Sequence, residues 1–96
     1  MRISYDPKKR AKTFDDREID FDRAVEVFQG PTAHFVDGRK DYGERRVACY
    51  GFLDGRLVVV CYTERDGVRH VFSMRKANER EQKKVRPYFQ NGSGEV

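Results

Sequence analysis

The chain has 96 residues, a formal net charge of +4, and equal shares, 38% each, of hydrophobic and charged residues. That length supports one domain with a thin core, and no apolar run approaches the roughly 20 residues that cross a bilayer. The opening Met1-Arg2-Ile3-Ser4-Tyr5-Asp6-Pro7 lacks the apolar stretch of a secretory leader, so a cytoplasmic protein without membrane contact is expected.

In chain order, Ile3 to Tyr5 reads as a short strand. Asp6-Pro7 turns the chain, and Lys8 to Thr13 forms a short basic helix with proline at its start. Asp20 is placed to cap a second helix, whose Phe21, Ala24, Val25 and Phe28 recur at helical spacing until Gly30-Pro31 stops it. Ala33 to Val36 is a weak strand, and Asp37 to Gly43 reads as a loop. Three strands follow at about Arg45–Leu53, Leu57–Glu64 and Val68–Arg75, separated by Asp54-Gly55 and Asp66-Gly67, the strongest short hairpin signals. Asn78-Glu79-Arg80-Glu81 resembles a capping box that opens a last helix, which Pro87 ends. Residues 1–89 read as one domain and 90–96 as a flexible tail. The expected fold is α+β: an antiparallel sheet whose C-terminal three-strand meander packs against two N-terminal helices, with a C-terminal helix added.

Two-residue turns fix strand register. With both Asp-Gly pairs as loops, Arg45 faces Glu64, Glu64 faces Arg69, Val60 faces Ser73 and Val58 faces Arg75. One sheet face then carries Ala48, Tyr50, Phe52, Leu57, Val59, Cys61, Phe72 and Met74, to be covered by the Phe21–Phe28 helix. The other carries Arg45, Val47, Cys49, Val60, Tyr62, Glu64, Arg69, Val71, Ser73 and Arg75. A one-residue slip would exchange these assignments. Cys49 and Cys61 fall on opposite faces, which disfavours a disulfide, and no Cys/His cluster with metal-ligand spacing is present, so neither metal nor cofactor is expected. His34 reads as an ordinary strand residue.

Charge is uneven. Residues 65–86 hold eight Lys/Arg against three Asp/Glu, whereas residues 15–26 hold six acids against two Arg. A basic C-terminal third suits a phosphate backbone. The row Arg45–Glu64–Arg69 is either an exposed cross-strand ion pair or, with Tyr62, Ser73 and Arg75 on the same side, a phosphate site built for RNA.

Asp41-Tyr42-Gly43-Glu44-Arg45-Arg46, Val60-Cys61-Tyr62-Thr63-Glu64-Arg65, and Val71-Phe72-Ser73-Met74-Arg75-Lys76-Ala77 with Glu81 resemble, in order and spacing, the blocks of the BrnT toxin family. Tyr5-Asp6-Pro7-x-Lys9 and the Phe21–Phe28 segment with its Gly-Pro resemble it too. The resemblance implies a RelE-like fold and a ribonuclease that arrests translation. It also implies a ribbon-helix-helix antitoxin that blocks the toxin, with operator DNA bound through the complex. Glu44, Arg45, Arg65, Ser73, Arg75, Ala77 and Glu81 match the pattern. Asp16-Arg17-Glu18 stands where many relatives have Lys-His-Gly, and His70 where relatives often have Arg.

A metal-independent ribonuclease needs cations at the phosphorane and groups that move protons. Arg45, Arg69 and Arg75 are candidates for the phosphate charge, Arg65 for the backbone, and Glu44, Glu64 and His70 for proton transfer. Tyr62, Ser73, Lys76 and Arg80 are candidate RNA contacts. The alternative is a non-catalytic nucleic-acid- or antitoxin-binding regulatory module on the same basic surface.

Overall fold

The computed structural model describes residues 2–37 and 43–90. Most of the expected loop after Val36 and the tail beyond 90 therefore lie outside the described residues.

The first strand, β1 (Ile3–Tyr5), is followed by α1 (Pro7–Arg17). Asp6 caps α1 by accepting from the Lys8 N–H at 2.9 Å. This helix runs beyond the expected Thr13 although it buries no residue, so no apolar stripe announces its length. Glu18 ends it in the left-handed conformation, φ 58°. Asp20 then caps a 3-10 turn, Phe21–Arg23, that runs into α2 (Ala24–Gln29). The Arg10 guanidinium grips the Asp20 carboxylate at 2.7 and 2.9 Å and ties α1 to this turn.

The strands β2 (Ala33–Asp37), β3 (Arg46–Leu53), β4 (Arg56–Arg65) and β5 (Val68–Lys76) complete a five-stranded sheet in the order β1-β5-β4-β3-β2. Both hairpins turn on Asp-Gly pairs with positive φ at each residue, 54° and 78° at Asp54-Gly55, and 52° and 78° at Asp66-Gly67. That is the geometry that matches the right-handed twist of the strands. The sheet is mixed rather than antiparallel, because β1 pairs with β5 in parallel. A three-residue strand carries no signal for its partner's direction.

The β4–β5 ladder contains one irregularity. Glu64 faces Arg69 and Tyr62 faces Val71, as expected, but Cys61 faces Ser73 and Val59 faces Arg75. Phe72 is the extra residue of a β-bulge, and beyond it the alternation of β5 is inverted relative to a regular ladder. The expected pairs Val60–Ser73 and Val58–Arg75 are thereby corrected. Met74 moves to the side of Val60, and Ser73 and Arg75 move to the side of Cys61.

The inversion also corrects which helices cover which face. Cys49, Val58, Val60, Val71 and Met74 are buried under Phe21, Ala24 and Val27. The N-terminal helical segment thus packs on the face expected to be open. Gly51 admits α2 there: a Cβ on it would meet the Val27 side chain at 2.6 Å and that of Thr32 at 3.2 Å. The other face, with Tyr50, Val59 and the half-buried Phe35, Ala48 and Cys61, lies under Val85 of α3 (Glu79–Val85). Asn78 and Glu81 form the expected reciprocal cap of α3. Pro87 does not end the helical path but opens α4 (Pro87–Gln90), whose Tyr88 and Phe89 rings meet Phe35 and Phe52 edge-on at 5.1 Å each.

Candidate active site

A groove of about 480 Å³ lies between α3 and the sheet, floored by Ala48, Cys61 and Val59. The bulge puts Ser73 and Arg75 on its floor. The Arg75 guanidinium donates to both oxygens of Glu81 at 2.7 Å, in the fork-on-carboxylate geometry that arginine makes best. The Asn78 N–H donates to the same carboxylate at 3.0 Å, and the Tyr50 hydroxyl at 3.4 Å. Arg75 holds the Glu81 carboxyl down at about 2, against the opposing pull of burial. Burial and the nearby Glu81 charge push the Tyr50 phenol up.

Arg46 and Lys84 also line the groove. Arg46 starts β3 and stacks its guanidinium 4.5 Å from the centre of the Phe72 ring. Lys84 stands one helical turn after Glu81, so the two share a face of α3. Phe72 and Ser73 also border a shallower hollow against α1, lined by Lys9, Lys12 and Arg17. Arg17, at the histidine position of Lys-His-Gly, donates to the Met74 carbonyl at 3.3 Å. Cations thus continue from α3 across β5 to α1. Arg46, Arg75 and Lys84 suit phosphates, and of the two carboxylates that line the groove, Asp37 and Glu81, Glu81 is engaged by Arg75.

Arg45, Glu64, Arg69 and Tyr62 remain together, as the register requires, but on the opposite side of the sheet from Arg75 and Ser73. They line a second hollow, about 630 Å³, at the end of the sheet that α2 leaves uncovered. No ion pair joins Arg69 to Glu64, the residue directly across the ladder. The Arg69 guanidinium instead lies 4.6 Å from the Phe28 ring centre and 4.7 Å from that of Tyr62. His34 shares this hollow: its Nδ1 is 3.1 Å from the Tyr62 hydroxyl and its Nε2 3.0 Å from that of Thr32. Burial, and secondarily the Arg69 charge, lower its pKa.

The other expected residues stand apart. Arg65 is engaged by Glu44 at 3.0 and 3.2 Å at the hairpin mouth, which holds the Glu44 carboxyl below its ordinary value. His70 faces Thr63 and bonds through Nδ1 with Ser4 of β1 at 2.9 Å. Lys76 ends β5, exposed, and Arg80 is exposed on α3. Cys49 and Cys61 are on opposite faces and not disulfide-bonded; burial pushes the Cys49 thiol up to about 12. Reading the sequence did not single out Arg46, Tyr50 or His34. Strand alternation alone puts Arg46 opposite in sense to Arg45, and His34 registers beside Cys49 once β2 is paired with β3.

The molecule is thus an α+β domain with an open groove, lined by Arg46, Arg75 and Lys84, under a capped helix. A family model described as the ribonuclease toxin, BrnT, of type II toxin-antitoxin systems matches residues 5–81. The chain belongs to this family, which implies an antitoxin partner. No curated protein matches the chain. Among the described residues no helix is long and apolar enough to cross a membrane.

Proposed function

We propose that the chain is a RelE-like toxin that cleaves RNA without a metal cofactor in the α3 groove, arrests translation in the cytoplasm, and is neutralised by a ribbon-helix-helix antitoxin. The complex would bind its own operator DNA through that antitoxin. One observation carries the catalytic part: Ser73, Arg75 and Glu81, three positions of the family pattern, meet in one groove with Arg46 and Lys84.

In this reading the nucleophile is the substrate's own 2′-hydroxyl. It gives its proton to Glu81 and attacks the adjacent phosphorus as the bond to the 5′-oxygen breaks. The 5′-oxygen takes a proton from water and leaves as a hydroxyl, and a 2′,3′-cyclic phosphate remains. Arg75, Arg46 and Lys84 face the charge that grows on the phosphorane. Glu81 is a poor proton acceptor while Arg75 holds it. An entering phosphate competes for the same guanidinium, and a carboxylate released from it regains basicity. Substrate thereby arms its own base. Glu44, Glu64 and His70 lie outside the groove, so the proton-transfer assignment moves to Glu81.

The test is cleavage with mapped RNA ends by purified variants whose melting temperatures show them folded. Arg75→Ala is expected to slow cleavage by about 100-fold or more. Glu81→Gln is expected to bind RNA and not cut it. Wild-type cleavage by a folded Arg75→Ala protein would overturn the site. Chelation by EDTA is expected to leave the rate unchanged; loss on chelation and recovery with a metal would refute the metal-free mechanism. A protein that binds RNA with steep salt dependence and yields no cut ends would be the non-catalytic regulatory module instead.

A further inference from the structure

The hollow on the α2 side takes no part in that mechanism, yet it is built. Its centre is Arg69. The Arg69 guanidinium is held against the Phe28 and Tyr62 rings, which stand edge to face at 79°. It makes no ion pair with Glu64 across the ladder, so its N–H donors are not taken up by that carboxylate. His34 is fixed by a hydroxyl on each ring nitrogen and walls the same hollow, while Arg45 stands exposed at its rim.

The two hollows also adjoin. Val36 and Val47 line both of them. Val36 belongs to β2, the edge strand of the sheet, and is 54% exposed. A flexible strand leaving the α3 groove across that edge enters the hollow at Val36 and Val47 and has Arg69, on β5, at the far side of it. The charges there are balanced, Arg45 and Arg69 against Glu64 and Asp66. A duplex, with its dense phosphates, gains little from such a mixed site. A single strand offers one phosphate to the arginine and the exocyclic amino groups of an unpaired base to the carboxylates.

We infer that the Arg69 hollow is a second binding site for single-stranded RNA, holding a phosphate of the strand that runs out of the cleavage groove over the β2 edge. This rests on the ribonuclease reading for the identity of the polymer, and on the ring-held arginine and the shared valine border for the site.

The experiment uses the full chain and 2′-O-methyl RNA oligonucleotides, which the proposed chemistry cannot cut. A short one fills only the α3 groove; a longer one extends beyond it. Affinity is measured across a salt series for wild type, Arg69→Gln and Arg45→Gln. Arg69→Gln is expected to weaken the long oligonucleotide about tenfold, the loss of one charge-assisted contact, and to leave the short one unchanged. The salt slope for the long oligonucleotide is expected to fall by about 0.7. Arg45→Gln, which removes no ring contact, is expected to act the same way more weakly, and Arg69→Lys to restore part of the loss. Unchanged affinity for the long oligonucleotide in both folded glutamine variants, while wild type still cleaves RNA, would overturn this site and leave the ribonuclease reading intact. Equal losses for short and long oligonucleotides would also overturn it, as would weakened antitoxin binding without weakened RNA binding. Failure of wild type to bind either oligonucleotide would remove the ribonuclease reading and this site with it.

Discussion

Glu81 completes the cap of α3, neutralises Arg75, and is the proposed proton acceptor. Its carboxyl is held at about 2 in the folded chain, against about 4.3 for an unfolded glutamate. The ionised form is therefore favoured by the fold. The stabilisation is fully present above pH 4.3 and is lost as pH falls toward 2, with an upper magnitude of about 3 kcal/mol. His34 works in the same direction in a higher window. Its folded pKa is depressed, so the unfolded chain takes up the proton first, and stability starts to decline once pH drops below about 6.5. Denaturant unfolding followed from pH 8 to pH 3 is expected to show two stretches of falling stability. His34→Gln should flatten the upper stretch, Glu81→Gln the lower. An unaltered pH profile in both variants would contradict these assignments. Single residues were legible in the sequence to the extent that register held: Arg45, Glu64 and Arg69 fall in the expected row. Arg75 and Ser73 did not, because the bulge sits at Phe72 with no glycine or other mark in the sequence.

At the scale of elements, the hairpins and the α3 cap were legible because Asp-Gly turns and an Asn-x-x-Glu box act locally. What needed the third dimension was not. The direction of β1, the extension of α1, and the choice of face by α2 depend on contacts remote in sequence. Gly51 illustrates the last point: it reads as a strand glycine, yet a Cβ there would lie 2.6 Å from the Val27 side chain of α2. Gly51→Ala is expected to push Val27 outward and destabilise the chain by about 1–3 kcal/mol, as overpacking does. The same substitution at Gly30, where a Cβ would meet only the Val27 carbonyl at 3.9 Å, is expected to cost less. Urea midpoints compare the two; equal midpoints would refute the close approach as the reason for the glycine.

Over the whole molecule, the sheet divides two arginine-bearing surfaces that composition had presented as one. Arg75 and Arg69 lie on opposite faces and share no partner. Their contributions to the binding of a long RNA are therefore expected to multiply, so that the double variant Arg75→Ala/Arg69→Gln shows the product of the two single losses. A double variant no weaker than the worse single would mean that one RNA does not touch both faces. The excess charge of residues 65–86 was legible, and so was its suitability for phosphate. Its division between faces was not, because composition has no direction and β5 changes its alternation midway.

One extra residue, Phe72, carries that change of alternation, so the effect of the bulge can be separated from that of the residues after it. An in-frame deletion of Phe72 would leave the net charge and every other side chain in place. The ladder would become regular with the partners it already has, Ser73 opposite Cys61 and Met74 opposite Val60, so Ser73 and Arg75 would stay beneath α3 and Met74 beneath α2. Glu81 would keep its guanidinium partner, and what would be lost is the ring on which Arg46 lies. A chain one residue shorter would thus keep the groove, and any loss of cleavage in the folded variant would be traced to the Arg46–Phe72 contact.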